Sequence, residues 1–267
     1  MRFPMPQGWG PPAPGQVAPT RDAATVVLLR DTDAGAETYL LRRQPTMVFA
    51  AGMSVFPGGA VQAGDEESIG WFGPSPEEWA ERLRCAPGVA RALVVAAVRE
   101  TFEESGILLA GPDERTTAAG LGTEEWGRVR VDLDQGRRSL ANVLDEQGWA
   151  LRADLLGAWA HWITPAFEPK RYDTRFFVAA VPEGQAVGPL PSEADRSQWT
   201  RPAAALDAVR AGEMVMLPPT IAVCRDLAGV AARDVVGVAA DRVVEPIEPQ
   251  AVQVDGAWFI ENPLEDL

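Results

Sequence analysis

The chain alternates between short apolar runs bounded by turn residues and longer stretches with helical spacing. Ala24–Arg30 (ATVVLLR) reads as a buried strand and Thr38–Gln44 (TYLLRRQ) as its hairpin partner across a DTDAG turn. Met53–Gly59 (MSVFPGG) reads as a strand stopped at Pro57-Gly58-Gly59. A helix begins at Ser75, whose hydroxyl is a cap ahead of Pro76 at the first helical position and Glu77 and Glu78 in the first turn. A longer helix runs from about Val89 to Ser105, with Gly106 placed to end it. Ile107–Ala110 reads as a short strand, and the segment 112–155 as charged helices forming a cap or insertion. Ala158–Thr164 and Asp173–Val181 are further strands. Arg201–Gly212 and the stretch after Leu217 are helices, and Val252–Ile260 is a hairpin turning at Asp255-Gly256. Antiparallel-looking strands mixed with isolated helices predict an α+β sandwich, helices covering a mixed sheet.

Residues 1–20 are dense in Pro and Gly and read as an extended leader, too poor in donors for a helix or central strand. The remainder, 21–267, is expected to be one domain with additions. No apolar stretch is long enough to cross a bilayer, since the run Ala92–Val98 is far short of the required length. Nothing at the N-terminus has an export signal's apolar core. These features set the expectation of a cytoplasmic protein with no membrane partner.

The 267 residues carry 24 Lys plus Arg against 38 Asp plus Glu, a formal charge of −14. That balance argues against a sequence-blind nucleic-acid surface, which needs clustered cations to displace counterions. It leaves room for a small anionic ligand held by a local basic pocket or a metal. Two cysteines, Cys85 and Cys224, cannot build a thiolate-rich zinc site, and with one histidine, His161, two-His metal motifs are excluded. The chemistry therefore falls to carboxylates, arginines and oxygen-ligated metal.

Within Ala92–Ile107 the carboxylates share a face. At about 100° per residue, with Glu100 as zero, Glu103 falls near 300° and Glu104 near 40°, while Val94, Val98 and Phe102 fall opposite. Arg99 flanks the acidic face and reaches Glu103 at i+4. Crowded carboxylates raise one another's pKa, and a hard cation such as Mg2+ or Mn2+ relieves them. A solvated acidic face paired with arginines accounts for such a pattern as well.

The residues Arg99-Glu100-Thr101-Phe102-Glu103-Glu104-Ser105-Gly106-Ile107 resemble the second half of the Nudix box, with Thr101 where a bulky aliphatic is usual. Phe56-Pro57-Gly58-Gly59 is similar to its opening. Asp65 stands where that family has Glu, and the 33 residues between Asp65 and Arg99 replace the usual seven. The split box, together with Trp162-Ile163-Thr164-Pro165 and Arg171-Tyr172-Asp173-Thr174-Arg175-Phe176-Phe177, resembles the Nudix branch similar to the mammalian peroxisomal coenzyme A diphosphatase. The resemblance spans about Ala24 to Leu227. It implies a Nudix-type α/β/α sandwich with a mixed sheet, insertions at about 66–90 and 112–155, and extra helices. It implies Mg2+- or Mn2+-dependent hydrolysis of a nucleoside diphosphate conjugate. By position, Glu103 and Glu104 would be metal ligands and Glu100 a ligand or the base, with the base left open among the glutamates; Glu100, Glu103 and Arg99 form the catalytic set, Arg99 orienting the glutamates, and a Gly58 or Gly59 carbonyl would be part of the metal shell. Glu193 is the best later acid.

The substrate expected is coenzyme A or an acyl ester. ADP-ribose, NADH or another conjugate is the enzymatic alternative, and a non-catalytic nucleotide-binding module the alternative of another class. Arg42, Arg43, Lys170, Arg171 and Arg175 are the cations placed to hold phosphates. Because strand neighbours point oppositely, only one of Arg42 and Arg43 is expected to reach the site. His161 is expected to be structural, and Trp71, Phe72 and Trp79 to pack the insertion rather than stack a base. A homodimer is in keeping with the family, although no apolar stripe marks its interface.

Overall fold

The computed structural model describes residues 2–4, 17–46 and 50–261. In chain order the strands and helices are β1 (Arg2–Pro4), β2 (Thr20–Thr32), β3 (Gly35–Arg43), β4 (Ser54–Val55), β5 (Gly58–Ala60), β6 (Trp71–Phe72), α1 (Pro76–Leu83), α2 (Pro87–Ser105) and β7 (Ala110–Gly111). There follow α3 (Glu124–Asp134), α4 (Leu140–Gln147), β8 (Ala150–Arg152), β9 (Gly157–Ile163), β10 (Arg171–Ala180), β11 (Ala194–Thr200), α5 (Pro202–Arg210), α6 (Pro218–Leu227), α7 (Val235–Ala240), β12 (Pro246–Ile247), β13 (Gln250–Val254) and β14 (Ala257–Glu261).

The central sheet runs β11-β3-β2-β10-β9-β12, with β4 added on β3 and β5 on β2. It is mixed: β2 lies parallel to β10 and antiparallel to β3, and β9 is antiparallel to β10. Strand alternation sorts side chains into two cores. Val26, Leu28, Phe177 and Ala179 face α2, while Val27, Leu29, Phe176 and Val178 face α6 and α7. Helices therefore cover both faces of a mixed sheet, the expected sandwich. α2 is buried nearly all round because the sheet takes one side and the insertions take the other. An amphipathic surface helix would show a polar stripe, and here the polar residues that replace it are themselves buried.

The two insertions build one structure. β6, from the first, pairs with β8, from the second, and β7 completes a three-stranded sheet. Trp79 of α1 is fully buried and meets the Phe177 ring edge-on at 5.6 Å. From the second insertion Trp126 meets Phe102 edge-on at 5.8 Å and stacks on Trp149 at 5.6 Å.

The helix at Ser75 is capped as expected, Ser75 and Glu78 exchanging a reciprocal pair of hydrogen bonds. Gly106 ends α2 at φ 81°, and the hairpin turns at Asp255 (φ 49°) and Gly256 (φ 81°). Three expectations need correction. The strand expected at Ile107–Ala110 is confined to Ala110–Gly111, because Ile107, Leu108 and Leu109 are fully buried without extending a ladder. Residues 112–155 are not all helical, since β8 sits within them. In the leader, Arg2–Pro4 forms an edge strand against β14, and residues 5–16 lie outside the described residues.

Candidate functional site

The second half of α2, the turn into β5 and the start of β10 meet at a cleft of about 510 Å³. Its walls carry Glu100, Glu103 and Glu104 from α2, Gly58, Gly59 and Ala60 from β5, Thr25 from β2, and Arg43 from β3. Lys170, Tyr172 and Thr174 come from β10 and its approach, Glu193 from the approach to β11, and Asp134 from the end of α3.

Arg99 is 2% exposed and uses every donor it has. Its Nε and Nη2 hold Asp65 bidentately at 2.8 and 3.0 Å. Nη1 donates to Glu100 at 2.8 Å and to Glu103 at 3.2 Å, and Nη2 also donates to the Ala60 carbonyl at 3.1 Å. The guanidinium therefore has nothing left for a substrate. It fixes the side chains of Glu100 and Glu103 and ties α2 to β5. Asp65 is itself fully buried and accepts from the Gln62 N–H at 2.8 Å. It pairs with Arg99 and does not line the cleft.

The two glycines are shaped by the glutamates. The Gly58 N–H donates to Glu104 Oε2 at 2.9 Å. A Cβ on Gly59 would come within 2.3 Å of Glu100 Oε1, so only glycine lets β5 approach that carboxylate. The C-terminal end of α2 is held by a residue the sequence did not single out. Arg130 of α3 is buried and donates to the Phe102 carbonyl at 3.1 Å, the Glu103 carbonyl at 2.8 Å and the Pro189 carbonyl at 3.1 Å. A cation there satisfies terminal carbonyls and complements the helix dipole.

Burial dominates the titration of the cluster. Glu103 is pushed up from 4.5 to about 8, because desolvation outweighs the Arg99 charge and Glu100 adds repulsion. Glu104 is raised well above the ordinary range by burial and then by Glu100, with the Gly58 N–H offsetting part of it. Glu100 is raised by burial against the pull of Arg99. Arg99 is raised despite its desolvation, since three carboxylates surround it. One cation does not offset the burial of both Glu100 and Glu103.

The oxygen donors and their unrelieved repulsion fit a hard divalent cation. Among the described residues no group of three or more His, Cys, Asp or Glu side chains is already gathered as a metal site. Arg99 occupies the space between Glu100 and Glu103, and Glu104 is turned to Gly58.

Of the five cations expected to meet phosphate, Arg43 and Lys170 line the cleft. Arg43 reaches Glu193 at 3.3 Å, and Lys170 lies 5.5 Å from the Tyr172 ring centroid. The other three do not line it. Arg42 points to the opposite face of β3 and is clamped on Asp195 at 2.7 Å. Arg171 is spent on the Thr164 and Ala18 carbonyls, both at 2.9 Å, and on Glu248 at 2.7 Å. Arg175 pairs with Asp173 and donates to the Leu83 carbonyl. The reason is the strand period. Tyr172 and Thr174 face the cleft, so Arg171, Asp173 and Arg175 face away.

His161 hydrogen-bonds Asp173 at 2.5 Å, and neither residue lines the cleft. Glu193 does stand in the cleft, and Asp134 joins it from the second insertion, unforeseen from sequence.

The family model described as the NUDT19 Nudix domain matches residues 84–226, more than half of the chain. A nudix hydrolase 7 of Caenorhabditis elegans is 27% identical over 242 residues, covering 91% of this chain and 72% of its own length. The human acyl-coenzyme A diphosphatase NUDT19 is 28% identical over 257 residues, covering 80% of this chain, and the chain spans 66% of that protein. Among solved structures, a NUDIX hydrolase from Alicyclobacillus acidocaldarius is 32% identical with a TM-score of 0.65, covering 82% of this chain and 96% of the other.

Proposed function

The chain belongs to the NUDT19 Nudix domain family and is a Nudix hydrolase; from that premise we propose that it cleaves the diphosphate of coenzyme A or an acyl-coenzyme A. The products would be 3′,5′-ADP and phosphopantetheine or its acyl ester. The observation that carries the chemistry is one cleft lined by Glu100, Glu103 and Glu104 together with Arg43, Lys170, Gly58 and Gly59. The relatives named acyl-coenzyme A diphosphatase support the choice of substrate.

Glu100, Glu103 and Glu104, with a Gly58 or Gly59 carbonyl, would hold Mg2+ or Mn2+. A bound divalent ion supplies charge neutralisation of the diphosphate and acidifies a water. Arg43 and Lys170 would bind the non-bridging phosphate oxygens, reducing repulsion between the anion and an acidic protein. A carboxylate of the cluster accepts one proton as water oxygen bonds to phosphorus. The P–O bridge breaks, and the bridging oxygen leaves on the other phosphate. Arg99 touches no substrate in this reading. It holds Glu100 and Glu103 in place, so it is a positioning residue.

The test is incubation with Mg2+ and, separately, coenzyme A, acetyl-coenzyme A, ADP-ribose and NADH, with products identified by mass. Release of 3′,5′-ADP with phosphopantetheine supports the reading. Turnover of ADP-ribose or NADH but not coenzyme A replaces the substrate. Binding without product from any of them overturns the catalytic assignment.

A further inference from the structure

A second cavity, of about 320 Å³, opens off the carboxylate cleft. The two share Thr25, Arg43, Gly58, Tyr172 and Thr174, so a ligand anchored in one runs directly into the other. Its volume lies within the range of small-molecule sites, and such sites are mostly apolar with a few polar groups that fix orientation.

The walls say what kind of group enters. Phe56, Trp162, Phe167, Phe176 and Leu217 supply apolar surface. Pro165, Pro218, Pro219 and Pro249 add more, and none of the four has a backbone N–H. A purine buried here would leave edge acceptors without donors on the proline side, an expensive arrangement. Of the threonines present, Thr164 already accepts from the Tyr172 N–H at 3.0 Å. The lone acid, Glu168, disfavours a second phosphate beyond the cleft.

At the junction stands Arg43. Its side chain is 19% exposed, its Nη2 makes a 3.3 Å contact with Glu193, and its buried Nε has no acceptor among the described residues. A phosphate oxygen at the mouth of the cavity would satisfy that donor.

Resting on the diphosphatase reading above, we infer that this cavity holds the uncharged, alkyl-rich arm attached to the diphosphate, with Arg43 binding the phosphate from which the arm departs. The additional phosphate of a coenzyme-like substrate stays on the Lys170 side of the cleft. The cavity thereby favours conjugates with a flexible neutral arm over those with a heteroaromatic group or a sugar on that side.

Calorimetric titration of the full chain with butyl phosphate, hexyl phosphate and adenosine monophosphate tests this. None of these contains a diphosphate, so the result is independent of turnover. Two more buried methylenes should tighten binding about 15-fold from butyl to hexyl, with a more negative heat-capacity change. Phe167→Asp and Leu217→Asp each put a charge on the wall, and in either variant the hexyl-to-butyl ratio should fall toward one. Thermal unfolding identifies a variant that is not folded, and the other then carries the comparison.

A ratio near one in the unmodified protein overturns the assignment. So does a ratio unchanged in both folded variants, or adenosine monophosphate binding more tightly than hexyl phosphate and losing that affinity in the variants. Cleavage of a diphosphate conjugate with a flat alkyl series removes the cavity assignment alone. A steep series with no cleavage of any conjugate removes the catalytic reading alone.

Discussion

Glu103→Gln separates the cost of the site from its use. The folded protein holds a proton on Glu103 up to about pH 8, whereas the unfolded chain releases it near 4.5. Between those values unfolding releases a proton, so stability falls as pH rises, and it levels off above pH 8. At about 1.4 kcal/mol per pKa unit, a shift from 4.5 to about 8 amounts to about 5 kcal/mol. Glutamine keeps an oxygen that accepts from Arg99 and carries no titrating proton. The metal-free variant should therefore match the unmodified protein at pH 4.5. It should then gain about 1.4 kcal/mol for each unit of pH, reaching an advantage of about 3–5 kcal/mol at pH 8.5. The assay is urea unfolding followed by tryptophan fluorescence, in chelator, from pH 4.5 to 9. With saturating Mg2+ the unmodified protein should regain stability by mass action while the variant gains less, and the variant should hydrolyse no diphosphate. A stability difference that stays constant across this pH range, or that favours the unmodified protein at pH 8.5 without metal, refutes the reasoning.

Two further outcomes are expected. Asp65→Asn leaves the buried Arg99 charge without its bidentate partner, and should cost about 3–5 kcal/mol in urea unfolding, with activity falling as Glu100 and Glu103 lose their anchor. Gly59→Ala drives a methyl to 2.3 Å from Glu100 Oε1 and must displace that carboxylate, so kcat should fall by about 100-fold or more with KM little changed, read from steady-state kinetics, and Tm should drop in thermal unfolding.

The parts of the site legible in the sequence were those set by local geometry. Helical periodicity alone put Glu100, Glu103 and Glu104 on one face and Arg99 within reach of Glu103. Strand alternation alone limited Arg42 and Arg43 to one participant, and the structure chose Arg43. The same alternation shows why Lys170, Arg171 and Arg175 do not all line the cleft. Tyr172 and Thr174 occupy the cleft side of β10, so Arg171 and Arg175 had to find partners on the other side, and did.

What the sequence withheld was long-range. Asp134 and Arg130 lie in a segment that reads only as charged helix, and nothing local marks Arg130 as the residue beneath the last turn of α2. Its role depends on α3 packing through Trp126 onto Phe102, a contact between two separate parts of the chain. The insertions illustrate the same limit. Each alone offers a two- or three-residue strand too short to stand, and each is completed by the other through the β6–β8 pairing. The insertion that splits the box therefore leaves Asp65 and Arg99 in contact, because α1 and the first half of α2 lead the chain out and bring it back to the same point. A gap of 33 residues in sequence is closed in space by a bidentate pair at 2.8 and 3.0 Å, which is why the spacing looked broken while the site did not come apart.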